Sequence, residues 1–160
     1  MNRYVLGIGF VAALTLDSSP ALGQVASTFN YCVATPNSTG HACTINAFGS
    51  VSVSENNFAL LARGTLPYSK GMFLYGRNPG QYPFGDGYLC IDPFNPGVHA
   101  LRPGVQASAA GFAGNQVQFQ NLLAPGVITP GSTWHFQYVY RDAGTQRFNA
   151  SNGLGATFAP

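Results

Sequence analysis

Charge is what this chain has least of. Only 8% of its 160 residues are Asp, Glu, Lys or Arg, against roughly 25% in ordinary soluble proteins. The few basic residues are scattered, without the run or stripe that neutralises a phosphate backbone, so nucleic acid is not an expected partner. No window of a dozen residues carries an apolar stripe at helical spacing, which argues against a helical bundle. The G-x-S-x-G elbow and the H-E-x-x-H zinc motif are missing, as is a glycine loop opening a helix. These absences remove the commonest sequence signatures of serine hydrolases, zinc peptidases and nucleotide binders.

Low charge does not mean disorder. Apolar residues make up 46% and aromatics 13% of the chain, more than a disordered segment carries. The surface is therefore expected to consist of Ser, Thr, Asn, Gln and Gly, the look of an exported β-protein. Met1-Asn2-Arg3 reads as a positive leader start, Tyr4 to Leu16 as its apolar stretch, and Ala21-Leu22-Gly23 as a small-residue cleavage site. The apolar run is shorter than the ~20 residues of a membrane span. The expectation is a signal peptide over 1–23, a flexible tail over 24–30 and one domain over 31–160. The product would be secreted, extracellular and without membrane insertion once the leader is gone. Cleavage removes Arg3 and Asp17, one charge of each sign, so the net charge stays at +2.

Gly and Pro, 20 and 11 in number, punctuate short runs of period two. Val51 and Val53 alternate with serines, Val117 and Phe119 with glutamines. GMFLYG (71–76), YLCI (88–91) and LGATF (154–158) are compact apolar runs between turn residues. Strands of this length and spacing predict an all-β fold, an antiparallel β-sandwich or jelly roll. The longest run, STWHFQYVYRDAG (132–144), sets Trp134, Phe136, Tyr138 and Tyr140 on one face and His135, Gln137, Val139 and Arg141 on the other. In a sheet with one wet face, the aromatic set belongs to the core and the second set to solvent.

Cys32, Cys43 and Cys90 leave one thiol over if a bridge forms. Three pairings are open. Cys32 with Cys43 is favoured, because NYCVATPNSTGHACTI reads as strand end, loop and strand start, and Cys90 would then be a free core thiol. His41 and Cys43 lack a second ligand pair for zinc, and neither a metal nor a cofactor is expected. Once the leader is removed, the carboxylates are Glu55, Asp86, Asp92 and Asp142. An Asp beside Gly, as in FGDG, usually caps backbone N–H groups; an ion pair of Asp86 with Arg141 or Arg77 is the other expected use. Tyr75, Tyr82 and Tyr88 lie near glycines and Pro83, which makes them, with Asp86, the candidate contacts for a sugar face. Asn37-Ser38-Thr39 and Asn149-Ala150-Ser151 match the glycosylation sequon.

The ordered pieces YC, NSTG, INAFGS, GMFLYG, PFGDGYLC, STWHFQYVYRD and FNASNGLGATF resemble a family of secreted bacterial β-sandwich modules, whose pattern includes NSTG, PFGDGxxC, STWxFQxxYRD and TFxP. The resemblance spans Tyr31 to Pro160. It implies an exported β-sandwich and supplies neither an activity nor catalytic residues. The family pattern often ends in Cys before the last Pro, where this chain has Ala159. A bridge from Cys32 to the chain end is thus ruled out, and Cys43 is the substitute that the resemblance favours. The functional expectation is a non-enzymatic extracellular module that contacts a glycan or a surface protein. Its rivals are a self-assembling surface or appendage subunit and a small secreted hydrolase using Asp86, Asp92 or Asp142.

Overall fold

The computed structural model describes residues 27–160; the expected leader and residues 24–26 lie outside them. The long aromatic run becomes β9 (Thr133–Arg141), the hub of the molecule. It pairs on one side with β4 (Lys70–Gly76) and on the other with β10 (Phe148–Ala150) and β11 (Gly153–Thr157), always antiparallel. With β1 (Thr28–Tyr31) and β7 (Val98–Gln106) at its edges, this main sheet has the order β1-β11-β9-β4-β7. A second sheet orders β2 (Thr44–Phe48), β3 (Ala59–Arg63) and β8 (Phe112–Gln116) as β2-β3-β8. A separate hairpin joins β5 (Pro79–Phe84) to β6 (Gly87–Ile91). One 3-10 turn, Phe119–Asn121, follows β8. The fold is an all-β sandwich, as the short period-two runs predict.

The core lies between the two sheets. Trp134, Phe136, Tyr138 and Tyr140 are buried there with Phe73 and Tyr75 of β4. They meet Ile45 and Ala47 of β2, Leu60 and Ala62 of β3, and Ala113 of β8. Phe58 packs its ring on Phe136 at 5.6 Å and on Phe158 at 5.0 Å. Burying a side chain of this size stabilises the fold by roughly 1.5–3 kcal/mol. The small residues Ala47, Ala62 and Ala113 on the thin sheet leave room for the large rings of the thick one.

The other face of β9 is dry over its first half and open at its end, where Val139 is half-buried and Arg141 exposed. His135 is 6% exposed and Gln137 is fully buried. A third layer covers them. The rings of Phe29 and Tyr31 on β1 stand edge-on to His135 at 6.2 and 5.1 Å. The β5–β6 hairpin covers Gln137, whose amide donates to Tyr88 O (2.8 Å) and Ser151 O (2.6 Å) while its oxygen accepts from Cys90 N (2.8 Å). At His135 and Gln137 the expected solvated face is thus a second buried interface, and Gln137 is tolerated in it because its amide is bonded at both ends.

The tail expected over 24–30 is also structured from Thr28 onward. Residues 28–31 pair with Ala156, Gly155, Leu154 and Gly153. The rings of Phe29 and Tyr31 occupy the space that a Cβ at Gly155 or Gly153 would take, with approaches of 2.3 and 2.5 Å. Glycine is required at both positions by this close approach. Conversely, Ser50–Ser54 is not a strand despite its alternation. Ser52 N donates to Ser50 Oγ (3.1 Å) and Glu55 N to Ser52 Oγ (3.3 Å). These local hydroxyl bonds compete with a ladder and curl the segment into turns.

The disulfide joins Cys32 to Cys90, not to Cys43, and the free thiol is Cys43. The layers explain the correction. Cys43 points into the core between the two sheets, whereas Cys90 lies beside Gln137 on the opposite face of the main sheet. Cys32 leaves β1 in the left-handed region (φ 61°), and Tyr31 Oη donates to Cys90 O at 2.7 Å, so the end of β1 is held over β6.

Two outcomes follow from this arrangement. Replacing Cys32 and Cys90 together by Ala should lower stability by about 4 kcal/mol on the chain-entropy scale, measured by denaturant unfolding. Burial pushes the Cys43 thiol up to about 12, so a thiol reagent at neutral pH should leave the native protein unmodified and label one cysteine only after unfolding. A third outcome concerns His135. Burial lowers its pKa below the ordinary 6.5, so the fold favours the neutral ring and unfolding takes up a proton. The His135 contribution is complete above pH 6.5 and is lost as the pH falls below that value. His135→Gln should flatten this part of the stability profile; an unchanged profile would show that the ring is solvated.

Candidate functional site

The sequence pieces that looked most like a site meet at one end of the sandwich, where they bond to each other. Asp142, at the end of β9, accepts from Ser38 N at 3.1 Å, from Ala143 N at 2.7 Å and from Asn149 Nδ2 at 3.4 Å. Asp86 in the FGDG turn accepts from Gln146 N at 3.0 Å, and Asp92 accepts from Phe94 N at 2.8 Å. Thr35 Oγ1 donates to Asp86 O, and Asn37 Nδ2 donates to Gly64 O and Tyr140 Oη. NSTG, PFGDG, YRD and FNAS therefore form one interlocked loop cluster. Burial works to raise the Asp142 carboxyl, but the bonds from Ser38, Asn149 and Ala143 outweigh it and hold the group below 3.8.

This use of the aspartates corrects the expected ion pair. Arg141 lies over the ring of Phe148 at 5.2 Å and Arg77 over Trp134 at 5.0 Å, while Asp86 serves backbone N–H groups. Both sequon asparagines, Asn37 and Asn149, are buried with their side-chain amides bonded, so neither presents an acceptor for a glycan.

The three tyrosines do not form a platform. Tyr75 is 3% exposed and belongs to the core, against Trp134 at 5.4 Å and His99 at 5.2 Å. Tyr82 and Tyr88 are half-buried on the β5–β6 hairpin. Tyr82 pairs with Leu89 and Pro83 with Tyr88, so the two tyrosines point to opposite faces of the ribbon. Tyr82 rests on Phe94 at 5.5 Å.

A concavity of ligand size lies elsewhere, where the two sheets part at their edge strands. β7 ends the main sheet and β8 ends the second. Between them opens a cleft of about 540 Å³, within the range of small-ligand sites. The strands supply Val98 to Arg102 on one wall and Asn115 and Gln116 on the other. The segment after β8 closes one end with Gln118, Asn121 and Leu122 to Ala124. Tyr75 reaches the floor from the core. Gln118 and Gln116 are engaged with Asn56. Among the described residues, the side chains of Asn115, which is half-buried, and Asn121 find no hydrogen-bond partner. His99 Nε2, at the cleft's inner wall, is buried without a partner.

No carboxylate lines this cleft, and among the described residues no group of three or more His, Cys, Asp or Glu side chains could hold a metal ion. The arrangement offers amide donors and acceptors, one guanidinium and apolar ledges. It can bind hydroxyls. Sequence reasoning missed the cleft, although the run NQVQFQN (115–121) is a visible signal, an amide at every second position beside buried Val117 and Phe119.

The comparisons leave the chain to its own geometry: no family model, no curated protein and no solved structure matches it. Among the described residues, no helix is long and apolar enough to cross a membrane.

The loop cluster generates a direct test. Asp142→Ala should cost about 2 kcal/mol or more, since a buried carboxylate with several donors is lost and the donors are left unpaired. The folded carboxyl titrates below its ordinary value, so its contribution is present above pH 3.8 and lost as the pH falls through the folded value. Thermal unfolding from pH 2 to 7 should show the variant and the parent converging at the acid end.

Proposed function

We propose that the chain is a non-enzymatic extracellular recognition module, and that its ligand surface is the cleft between β7 and β8. The ligand is a saccharide or similar polyol. The observation that carries this reading is the pair of unengaged amides, Asn115 and Asn121, in a concave site of ligand size that has apolar ledges and no acid. An amide offers a donor and an acceptor side by side, which suits neighbouring hydroxyls. Leu122 and Leu123 provide surface for the C–H face of a sugar ring. The disulfide supports an oxidising compartment, and the leader-like start of the sequence agrees with export. A polar surface with few charges also suits a module that presents loops and clefts rather than steering a charged partner.

The hydrolase alternative requires an acid to converge with a histidine in a pocket. Asp86, Asp92 and Asp142 are instead occupied as turn caps, which weighs for binding over catalysis.

The test is a glycan-array screen of residues 24–160 beside the Asn115→Ala/Asn121→Ala variant. We expect reproducible binding by the parent and at least about a fivefold loss in the variant, since two side-chain hydrogen bonds contribute roughly 0.5–1.5 kcal/mol each. A blank array, or binding that both proteins share equally, would overturn the assignment. Tyr82→Ala and Tyr88→Ala should leave binding unchanged.

A further inference from the structure

The outer face of the β4–β9 ladder is covered unevenly. At His135 it lies under aromatic rings, and at Gln137 under the β5–β6 hairpin. Beyond Gln137 the cover stops short. Met72 and Val139, a directly opposed pair, form the floor of a hollow of about 330 Å³. Phe84 from the hairpin and Phe148 from β10, with rings 6.4 Å apart, wall it. Lys70 and Arg141 complete the lining.

These two cations are the unusual feature. Gly71 pairs with Tyr140, so Lys70 and Arg141 lie one position further along on either strand, facing each other across the ladder. Like charges in that relation repel. No acidic residue lines the hollow, and neither cation has an ion pair or side-chain hydrogen bond among the described residues. Arg141 is held over the Phe148 ring at 5.2 Å, which keeps its guanidinium beside the apolar wall. The opposing Asp142 is turned to the other side of the strand, where Ser38 and Ala143 occupy it.

We propose that this hollow is a second ligand site, separate from the cleft, for an amphiphilic anion: a single hydrocarbon chain that ends in a carboxylate. The chain lies on Met72 and Val139, against the wall that the two touching phenylalanine rings form together. The carboxylate sits between Lys70 and Arg141 and relieves their repulsion. The hollow is at the small end of ligand pockets, which suits one short acyl chain and not a folded partner.

Octanoate, 1-octanol and octylammonium share one hydrocarbon body and differ in charge, so they are the probes for calorimetric titration of residues 24–160. Octanoate should bind about fivefold more tightly than octanol, from two exposed charge contacts, and octylammonium should bind more weakly than either. Its advantage should shrink with added salt. Lys70→Gln/Arg141→Gln should bring octanoate down to the octanol value, and Phe148→Ala should weaken both. Thermal unfolding of each variant checks that the fold persists. The cleft variant Asn115→Ala/Asn121→Ala should bind octanoate like the parent, so a failed glycan screen and a failed octanoate titration are separate results. Absent octanoate binding, equal affinity for octanoate and octanol, or a folded double glutamine variant with parental affinity would each overturn the proposal.

Discussion

The Gln137 side chain is the interaction on which the third layer depends. A primary amide buried on a strand must be bonded or it costs several times what a hydrogen bond contributes. Here it takes Cys90 N and Tyr88 O, both on β6, and Ser151 O, which lies between β10 and β11. The first two fix β6 over β9. The third lies where the strand passing β9 is interrupted between β10 and β11. At that break Ser151 Oγ accepts from Tyr138 N (3.0 Å), and Asn152 Oδ1 accepts from Ile45 N of the second sheet at 2.9 Å. One buried amide thus sets the hairpin and the break, and Asn152 ties that break to the facing sheet. The Cys32–Cys90 bond then ties β1 to the hairpin at its next position.

Burying the inner face of β9 and the first half of its outer face also decides where function can be. Polar side chains near the hub are consumed by structure: Asn37, Asn149, Ser151 and Asp142 are all buried and bonded. Their density in the loop cluster reflects the number of backbone groups that three adjoining turns leave without ladder partners. A cluster of this kind resembles an active site in sequence and is a clasp in space. The unengaged groups that face an opening lie where layers run out. At the β7–β8 edge the two sheets diverge and leave amides; on the outer face of β4 and β9 the hairpin ends and leaves two cations above apolar side chains.

The sequence readings that held were those that depend on a repeating local pattern. Trp134, Phe136, Tyr138 and Tyr140 are core because period two puts four large rings on one side, and water has no competing claim on them. The readings that did not hold each assumed that the unseen side of an element was free. His135 was placed in solvent because nothing in the linear chain announces that Phe29 and Tyr31, more than a hundred residues earlier, will lie over it. Cys43 was matched to Cys32 by nearness along the chain, while the main sheet that separates Cys43 from the Cys32–Cys90 bridge is built from strands far away in sequence. The tyrosines were grouped by their glycine-rich surroundings, but Tyr75 sits on a core strand and the other two point apart on one ribbon.

What the sequence by itself determined is therefore the class and the inner core: an all-β sandwich, Gly and Pro at its turns, and the aromatic face of β9 turned inward. Hydrophobic periodicity is local, and burial of that much apolar surface admits few alternatives. Only the tertiary structure decided which cysteines meet, which polar residues are spent as caps, and where a cleft and a hollow stay open. Those outcomes depend on how layers stack and where their edges end. They are set by contacts between segments distant in the chain, which leave no periodic trace in any one of them.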